Sequence, residues 1–158
     1  MFTRVTLAII KPDVCAFPPK LARIKELILE NGFKVLAERH RRYSMQEMES
    51  FYAEHANEFF YGRLTTYMSS GPILVYLLHR GEETITDWRS LLGPTKVFRA
   101  VFEAPDSLRG QFGLTDTRNA GHGSDSPESV QREVRFFFPD ISEERIRVLI
   151  MDSSPSSS

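Results

Sequence analysis

The amino-acid sequence predicts an α+β fold in which helices cover an antiparallel sheet of about four strands. Short apolar runs with strand character alternate with segments whose apolar residues recur at helical spacing. The predicted order is β-α-β, then helices, then β-α-β-α, which provides too few strands for a doubly wound parallel sheet. Strands separated by helices in this order favour a ferredoxin-like sandwich.

The first predicted elements are a strand, a helix and a second strand. An apolar run over residues 5–9 ends at the turn signal Lys11-Pro12-Asp13 and predicts the first strand. Apolar residues then recur at helical spacing over residues 21–28, before the helix-stop signal Asn31-Gly32. The second strand is predicted from the alternating residues Phe33, Val35 and Ala37.

A capping box predicts where the next helix begins. Ser44 and Glu47 have the spacing of that motif. The helix that follows is expected to carry Met48, Phe51, Tyr52 and His55. Further helices are predicted over residues 61–69 and 83–92, on either side of a third strand over residues 73–78.

The periodicity fades after Thr95. A loop is predicted from there to Arg118, with one helical turn near residues 107–109 and a short strand around Arg118. A helix over residues 126–137 and a short helical stretch over 143–149 complete the prediction.

The serine-rich end differs from the rest of the chain. It has no apolar residue to bury, so residues 152–158 are expected to be a disordered tail. Residues 1–151 are expected to form a single domain.

Charge and composition narrow the class of ligand. The chain has 20 Lys and Arg against 21 Asp and Glu, for a formal net charge of −1. It therefore lacks the broad positive field of a general nucleic-acid-binding protein. An anionic ligand would be held by a few placed cations, which suits a small phosphorylated metabolite.

Other features exclude several kinds of site. Cys15 is the only cysteine, so neither an intrachain disulfide nor a multi-cysteine metal site can form. No apolar stretch approaches the roughly 20 residues that span a bilayer. The first strand is predicted to begin near Arg4, which leaves no room for a signal or transit peptide, and an intracellular protein is expected.

The most unusual segment is residues 119–126, Asn-Ala-Gly-His-Gly-Ser-Asp-Ser. Its His122 lies between two glycines, so the ring is expected to be open to a bulky partner and the backbone able to approach an anion. Ser124, Asp125 or Ser126 can cap the following helix. Glu133 lies about two turns further on and could orient one ring nitrogen, leaving the other as a nucleophile.

From the residues alone, this segment has more than one explanation. It fits a plain turn with a solvated histidine, and it also fits a phosphate-binding turn with no covalent step. The segment lacks the serine of a G-x-S-x-G elbow. The chain's 4 histidines have no H-E-x-x-H or paired spacing for zinc.

Blocks of this sequence resemble those of the nucleoside diphosphate kinases. Residues 119–126 resemble the family signature N-x-x-H-G-S-D, and residues 8–13 resemble the family's first strand and its lysine. Further matching blocks occur in the same order over residues 59–72, 89–95 and 109–112. The resemblance covers most of the chain and also implies an α+β domain.

The resemblance implies a reaction. In this family a histidine takes the γ-phosphate of a nucleoside triphosphate such as ATP, forms phosphohistidine, and passes the phosphate to a nucleoside diphosphate in a ping-pong cycle. His122 matches this nucleophile, Glu133 the carboxylate that holds its other nitrogen, and Ser124 the neighbouring hydroxyl. Mg²⁺ would bridge the nucleotide phosphates, with few direct protein ligands.

The resemblance also implies which residues bind the nucleotide. They are Lys11 near the γ-phosphate and ribose, Arg89, Thr95 and Arg109 at the terminal phosphates, Asn119 at the ribose, Phe59 under the base, and Tyr52 as a support of the pocket.

Three departures from the family pattern bear on function. The loop between Thr95 and Arg109 is a few residues longer than usual, which makes the family's hexamer doubtful here. Asp116 replaces an apolar residue that lies against the base in typical members. It could shift base preference, or it could merely pair with Arg118 or point to solvent. The segment after Asp140 also differs from the one that packs on a neighbouring subunit in typical members.

These departures leave more than one function open. The leading hypothesis is a working nucleoside diphosphate kinase. The alternative is a nucleotide-binding adaptor with weak activity, or activity that depends on a protein partner. A third hypothesis is a protein-histidine phosphotransferase that uses His122. The resemblance leaves the cytoplasm and the mitochondrion as compartments.

Overall fold

Strand β1 (Val5–Ile10) lies at the centre of the fold, and all 6 of its residues are buried. In the computed structural model, which describes residues 1–152, β1 pairs with β3 (Ile73–His79) on one side and with β4 (Gly121–Gly123) on the other. Strand β2 (Lys34–Arg41) pairs with β3, which gives the order β2-β3-β1-β4 with every pair antiparallel. The predicted α+β sandwich with four antiparallel strands is confirmed.

Helices cover both faces of this sheet. In the described part of the chain they are α1 (Pro12–Cys15), α2 (Pro18–Glu30), α3 (Met45–Phe51), a 3-10 turn (Ala53–His55), α4 (Tyr61–Met68), α5 (Thr84–Leu92), α6 (Val97–Glu103), α7 (Leu108–Phe112), α8 (Pro127–Phe137) and α9 (Glu143–Asp152). Helices α3, α4, α8 and α9 pack on the face that carries Leu7 and Ile9. Helices α2 and α5 pack on the opposite face, which carries Ala8 and Ile10. Successive residues of β1 therefore enter two different cores.

The predicted capping signals are present. The Ser44 hydroxyl accepts from the Glu47 backbone N–H at 3.0 Å, and the Glu47 carboxylate accepts from the Ser44 N–H at 2.9 Å, which completes the capping box of α3. At the start of α8, the Ser126 hydroxyl accepts from the Ser129 N–H at 3.1 Å. Of the three residues proposed to cap this helix, Ser126 is the one that does so.

A β-bulge changes the pattern predicted for β2. The pairing with β3 shifts between Val35 and Ala37, so Leu36 is the additional residue. Leu36 and Ala37 consequently both pack against the same core, while Val35 lies outside it and is 37% exposed. The expected alternation of Phe33, Val35 and Ala37 is wrong for this reason.

Two helical predictions need correction. Helix α3 ends at Phe51, because Tyr52 leaves helical geometry at φ −97° and ψ 20° before the 3-10 turn. The segment predicted as a loop after Thr95 contains α6, which buries only Val97 and Ala100. Exposed apolar side chains on the other side of α6 hide its periodicity, since Phe98 and Phe102 are 67% and 80% exposed.

The strand predicted around Arg118 is also misplaced. The strand is β4, and His122 is its middle residue rather than part of a loop. Glycines on both sides of the histidine conceal the strand from a propensity argument. The last helix continues to Asp152, which the sequence assigned to the serine-rich tail. Residues 153–158 lie outside the described residues.

Candidate active site

A cavity of about 670 Å³ lies beside β4 and the end of β1. The predicted site residues that line it are Lys11, Tyr52, Phe59, Arg89, Thr95, Arg109, Asn119 and His122. Ser124 and Glu133 are buried and contact each other behind the His122 ring. The sequence-predicted residues are therefore brought together at one place.

Strand β4 presents His122 to this cavity. The residue pairs with Ile9 of β1, and its backbone carbonyl accepts a hydrogen bond from the Trp88 indole N–H at 3.1 Å. The Phe51 ring packs edge-on against the imidazole, with 5.8 Å between ring centroids. Only 23% of the His122 side chain is exposed, so the ring is held rather than solvated. The interpretation as a plain turn with a solvated histidine is not supported.

Glu133 holds one nitrogen of the His122 ring. Its carboxylate is 3% exposed, and Oε1 lies 2.8 Å from His122 Nε2. The other oxygen, Oε2, accepts from the Ser124 hydroxyl, and that hydroxyl in turn accepts from the Leu7 backbone N–H at 3.3 Å. Among the described residues, His122 Nδ1 has no hydrogen-bond partner.

The two glycines beside His122 are required by packing against α5. A Cβ atom at Gly121 would lie 2.8 Å from Leu92 Cδ2, and one at Gly123 would lie 2.7 Å from Trp88 Cδ1. Real Cβ atoms do not approach side chains this closely. The two glycines thus allow helix α5 to approach strand β4 closely. The role expected from the sequence was different, namely an exposed ring and a backbone that can approach an anion.

Lys11 is a buried cation that contacts another predicted residue. Its ammonium donates to Asn119 Oδ1 at 2.6 Å and to the Thr117 carbonyl at 3.1 Å, and the residue is 6% exposed. Burial, together with the positive charge of Arg109, lowers the pKa of Lys11 to about 7. An anion in the cavity would favour the charged form of this lysine.

Arg109 joins the C-terminal end of α5 to strand β4 and also lines the cavity. Its guanidinium donates to the Gly93 carbonyl at 2.8 Å and to the Gly121 carbonyl at 2.9 Å. Its Nε is buried without a partner among the described residues. Burial and the charge of Arg89 lower the pKa of Arg109 to about 10. Arg89 itself is exposed on α5 and faces the same cavity.

Asn119 and Asp116 join the two ends of the segment that contains α6 and α7. The Asn119 amide donates to the Thr95 carbonyl at 3.3 Å and to the Asp116 carbonyl at 3.1 Å. The Asp116 carboxylate accepts from the Val97 N–H at 3.2 Å, at the start of α6. It does not pair with Arg118, whose guanidinium lies over the Tyr67 ring at 5.4 Å.

Aromatic side chains form the other end of the cavity. Phe59 is 89% exposed at the rim, so its ring is available for contact with a ligand. Tyr52 is buried, and its hydroxyl has no partner among the described residues. Burial, with a further effect of Glu133, raises the pKa of Tyr52.

Some residues of the site were not predicted from the sequence. His55, Phe60 and Arg63 line the cavity, and Trp88 and Phe51 hold His122 in place. Phe60 is adjacent in sequence to Phe59, and Trp88 is adjacent to Arg89, which was the available signal for these two residues. The other three resemble ordinary core or surface residues in the sequence.

The described residues offer no preformed metal cluster. No group of three His, Cys, Asp or Glu side chains that could hold a metal ion occurs within residues 1–152. Asp116 is the one carboxylate among the described residues that line the cavity. A divalent cation bound here would take most of its ligands from another molecule.

None of the helices within residues 1–152 is long and apolar enough to cross a membrane.

Comparisons with known proteins agree with this geometry. Residues 4–142 match the family model described as nucleoside diphosphate kinase. Nucleoside diphosphate kinase 6 of Danio rerio is 52% identical over 141 residues, which are 89% of this chain and 79% of that protein. Nucleoside diphosphate kinase 6 of Homo sapiens is 50% identical over 142 residues, 90% of this chain and 76% of that protein.

A solved structure is also similar. The nucleoside diphosphate kinase of Aquifex aeolicus matches with a TM-score of 0.82 and 37% sequence identity, covering 90% of this chain and 97% of that one. The family model and these relatives each span most of the chain, so the chain belongs to the nucleoside diphosphate kinase family.

Proposed function

We propose that this chain transfers the γ-phosphate of a nucleoside triphosphate, such as ATP, to a nucleoside diphosphate through phosphohistidine at His122. The observation that carries the proposal is the arrangement around this ring. A buried carboxylate holds Nε2 at 2.8 Å, while the ring lines a cavity with Lys11, Arg89 and Arg109. Family membership and the names of the relatives support the same reaction class.

The proposed first step needs a neutral ring with its lone pair on Nδ1. Because a carboxylate accepts at Nε2, the proton of the neutral ring is placed on Nε2. The Nδ1 lone pair attacks the γ-phosphorus, and the bond from that phosphorus to the β–γ bridging oxygen breaks. The ring becomes positively charged as the P–N bond forms, and Glu133 stabilises this charge. A terminal phosphate oxygen of the second nucleotide, the nucleoside diphosphate, then attacks the same phosphorus. The P–N bond breaks, its electron pair returns to Nδ1, and the ring is neutral again.

The cations of the cavity would supply the electrostatic part of catalysis. Phosphoryl transfer depends mainly on positioning and on charge stabilisation. Burial disfavours the charged forms of Lys11 and Arg109, as their lowered pKa values show. A polyphosphate would supply the missing negative charge, with Arg89 and Thr95 at its terminal groups.

Nucleotide recognition is proposed at the opposite end of the same cavity. The base would stack on exposed Phe59, with Tyr52 supporting the pocket, and Asn119 with Lys11 would contact the ribose. Mg²⁺ would neutralise phosphate charge when bound. It would be held mainly by phosphate oxygens, because Asp116 is the one lining carboxylate among the described residues.

The covalent step can be tested by intact-mass measurement after incubation with ATP and Mg²⁺. We expect the mass of one added phosphoryl group, its loss when a second nucleoside diphosphate is supplied, and no addition in His122→Asn. The modification should be labile to acid and stable to base, because protonation weakens the P–N bond. Nucleotide binding without any added mass would contradict the proposal and favour the adaptor alternative.

Replacing Glu133 tests the role assigned to its carboxylate. Glu133→Gln removes the charge that stabilises the ring cation, and we expect phosphate transfer to slow by roughly 100-fold with nucleotide affinity little changed. Glu128→Gln makes the same substitution at an exposed position of α8 and serves as the matched control in quenched-flow assays. Equal rates in the two variants would show that Glu133 has no such role.

The lowered pKa of Lys11 predicts that nucleotide affinity depends on pH. Lys11 is charged below a pKa of about 7 and is neutral above it in the nucleotide-free protein. Binding of a polyphosphate above that pH must therefore take up a proton, and affinity should fall by up to about tenfold per pH unit.

Calorimetric titrations between about pH 6 and pH 9, in buffers of different ionisation heat, measure this proton uptake. Lys11→Gln should bind the nucleotide more weakly, and its affinity should lose this dependence on pH. An affinity in the unaltered chain that is constant across this range would rule out the assignment.

A further inference from the structure

The indole N–H of Trp88 donates to the backbone carbonyl of His122, and no step of the proposed reaction uses this contact. The distance from Trp88 Nε1 to the carbonyl oxygen is 3.1 Å. Trp88 is 0% exposed and is the only tryptophan of the chain. A buried indole N–H requires an acceptor, and here the acceptor belongs to the proposed nucleophile.

Packing fixes the direction of this N–H group. The Trp88 ring lies where a side chain at position 123 would begin, since a Cβ at Gly123 would be 2.9 Å from Nε1. On another side the ring packs edge-on against Phe33, with centroids 5.8 Å apart. The indole therefore cannot turn away without displacing β4.

Strand β4 has one other side-chain restraint on its backbone among the described residues, from the Arg109 guanidinium to the Gly121 carbonyl at 2.9 Å. It is 3 residues long and lies at the edge of the sheet, so within the described residues it pairs with β1 alone. Backbone hydrogen bonds flank it, from the Lys11 N–H to the Ala120 carbonyl at 2.9 Å and from the Ser124 N–H to the Leu7 carbonyl at 3.3 Å. The Trp88 hydrogen bond adds a restraint at the middle residue, from a different element.

The same turn of α5 also carries a cation of the site. Arg89 follows Trp88 directly and lines the cavity that His122 lines. Movement of α5 would therefore shift both the phosphate-binding group and the histidine backbone. Because Trp88 and Arg89 move together, the distance between His122 and a phosphate bound by Arg89 would stay constant.

We propose that Trp88 is a positioning residue for phosphate transfer. Its indole N–H fixes the backbone of His122 relative to Arg89, and the inference rests on the proposed function. Such a residue acts on the transfer rate, because ground-state binding of the nucleotide by Arg89, Thr95 and Phe59 does not require an aligned ring.

The test compares Trp88→Phe with Ile28→Val in single-turnover phosphorylation of the full chain at saturating ATP and Mg²⁺. Trp88→Phe removes the N–H group, while Ile28→Val weakens the same core from α2 and leaves the hydrogen bond intact. We expect Trp88→Phe to slow phosphorylation about tenfold, with the ATP dissociation constant within about twofold of the unaltered chain. Ile28→Val should lower the melting temperature without slowing the transfer.

Two kinetic results would overturn the proposal. One is an unchanged rate in Trp88→Phe. The other is a parallel loss of rate in both variants that follows their loss of stability, which would make Trp88 an ordinary core residue.

An NMR measurement separates this inference from the proposed function. The His122 Nε2–H signal, assigned by its absence in His122→Asn, should exchange with water faster in Trp88→Phe than in the unaltered chain or in Ile28→Val. This signal does not require phosphate transfer. If ATP phosphorylates no form of the chain, the proposed function fails while the exchange rates still decide the role of Trp88.

If Trp88→Phe does not fold, the measurement is the exchange rate of the Trp88 indole N–H with water in the unaltered chain. Rapid exchange overturns the proposal, and protection from exchange supports it.

Discussion

The hydrogen bond between His122 Nε2 and the buried Glu133 carboxylate is the interaction on which the rest of the site depends. A carboxylate excluded from water needs donors for both of its oxygens, and it obtains them from His122 and from Ser124. The Leu7 backbone N–H in turn donates to the Ser124 hydroxyl. These hydrogen bonds thereby join helix α8, the edge strand β4 and strand β1. Its arrangement determines which ring nitrogen is available for chemistry.

The cations of the cavity are stabilised only incompletely by the protein itself. Lys11 is buried and Arg109 is half-buried, and their hydrogen-bond partners are an amide oxygen and backbone carbonyls rather than carboxylates. Charged groups placed in this way are costly in the empty protein. Under the proposed function, a polyphosphate would offset that cost on binding. The same residues also hold the segments at Gly93 and Thr117, through which a bound anion would act on the shape of the pocket.

Much of this could be predicted from the sequence, because the signals were local. The capping box at Ser44 and the proline and glycine residues near the ends of α2 predicted where helices begin and end. The segment around His122 predicted the candidate nucleophile. Long-range features were not predictable. The packing of Trp88 and Leu92 against two glycines appears only once α5 lies on β4. The contact of Asp116 with the Val97 N–H requires α6, whose exposed phenylalanines obscured its helical pattern.

In the proposed reaction, Glu133 holds Nε2 and leaves Nδ1 to accept the phosphate. Phosphorus–nitrogen couplings in the chain labelled with ¹⁵N-histidine and phosphorylated by ATP identify the bonded nitrogen directly. We expect coupling of phosphorus to Nδ1 of His122, with Nε2 still protonated. Coupling to Nε2, or to a different histidine, would contradict it.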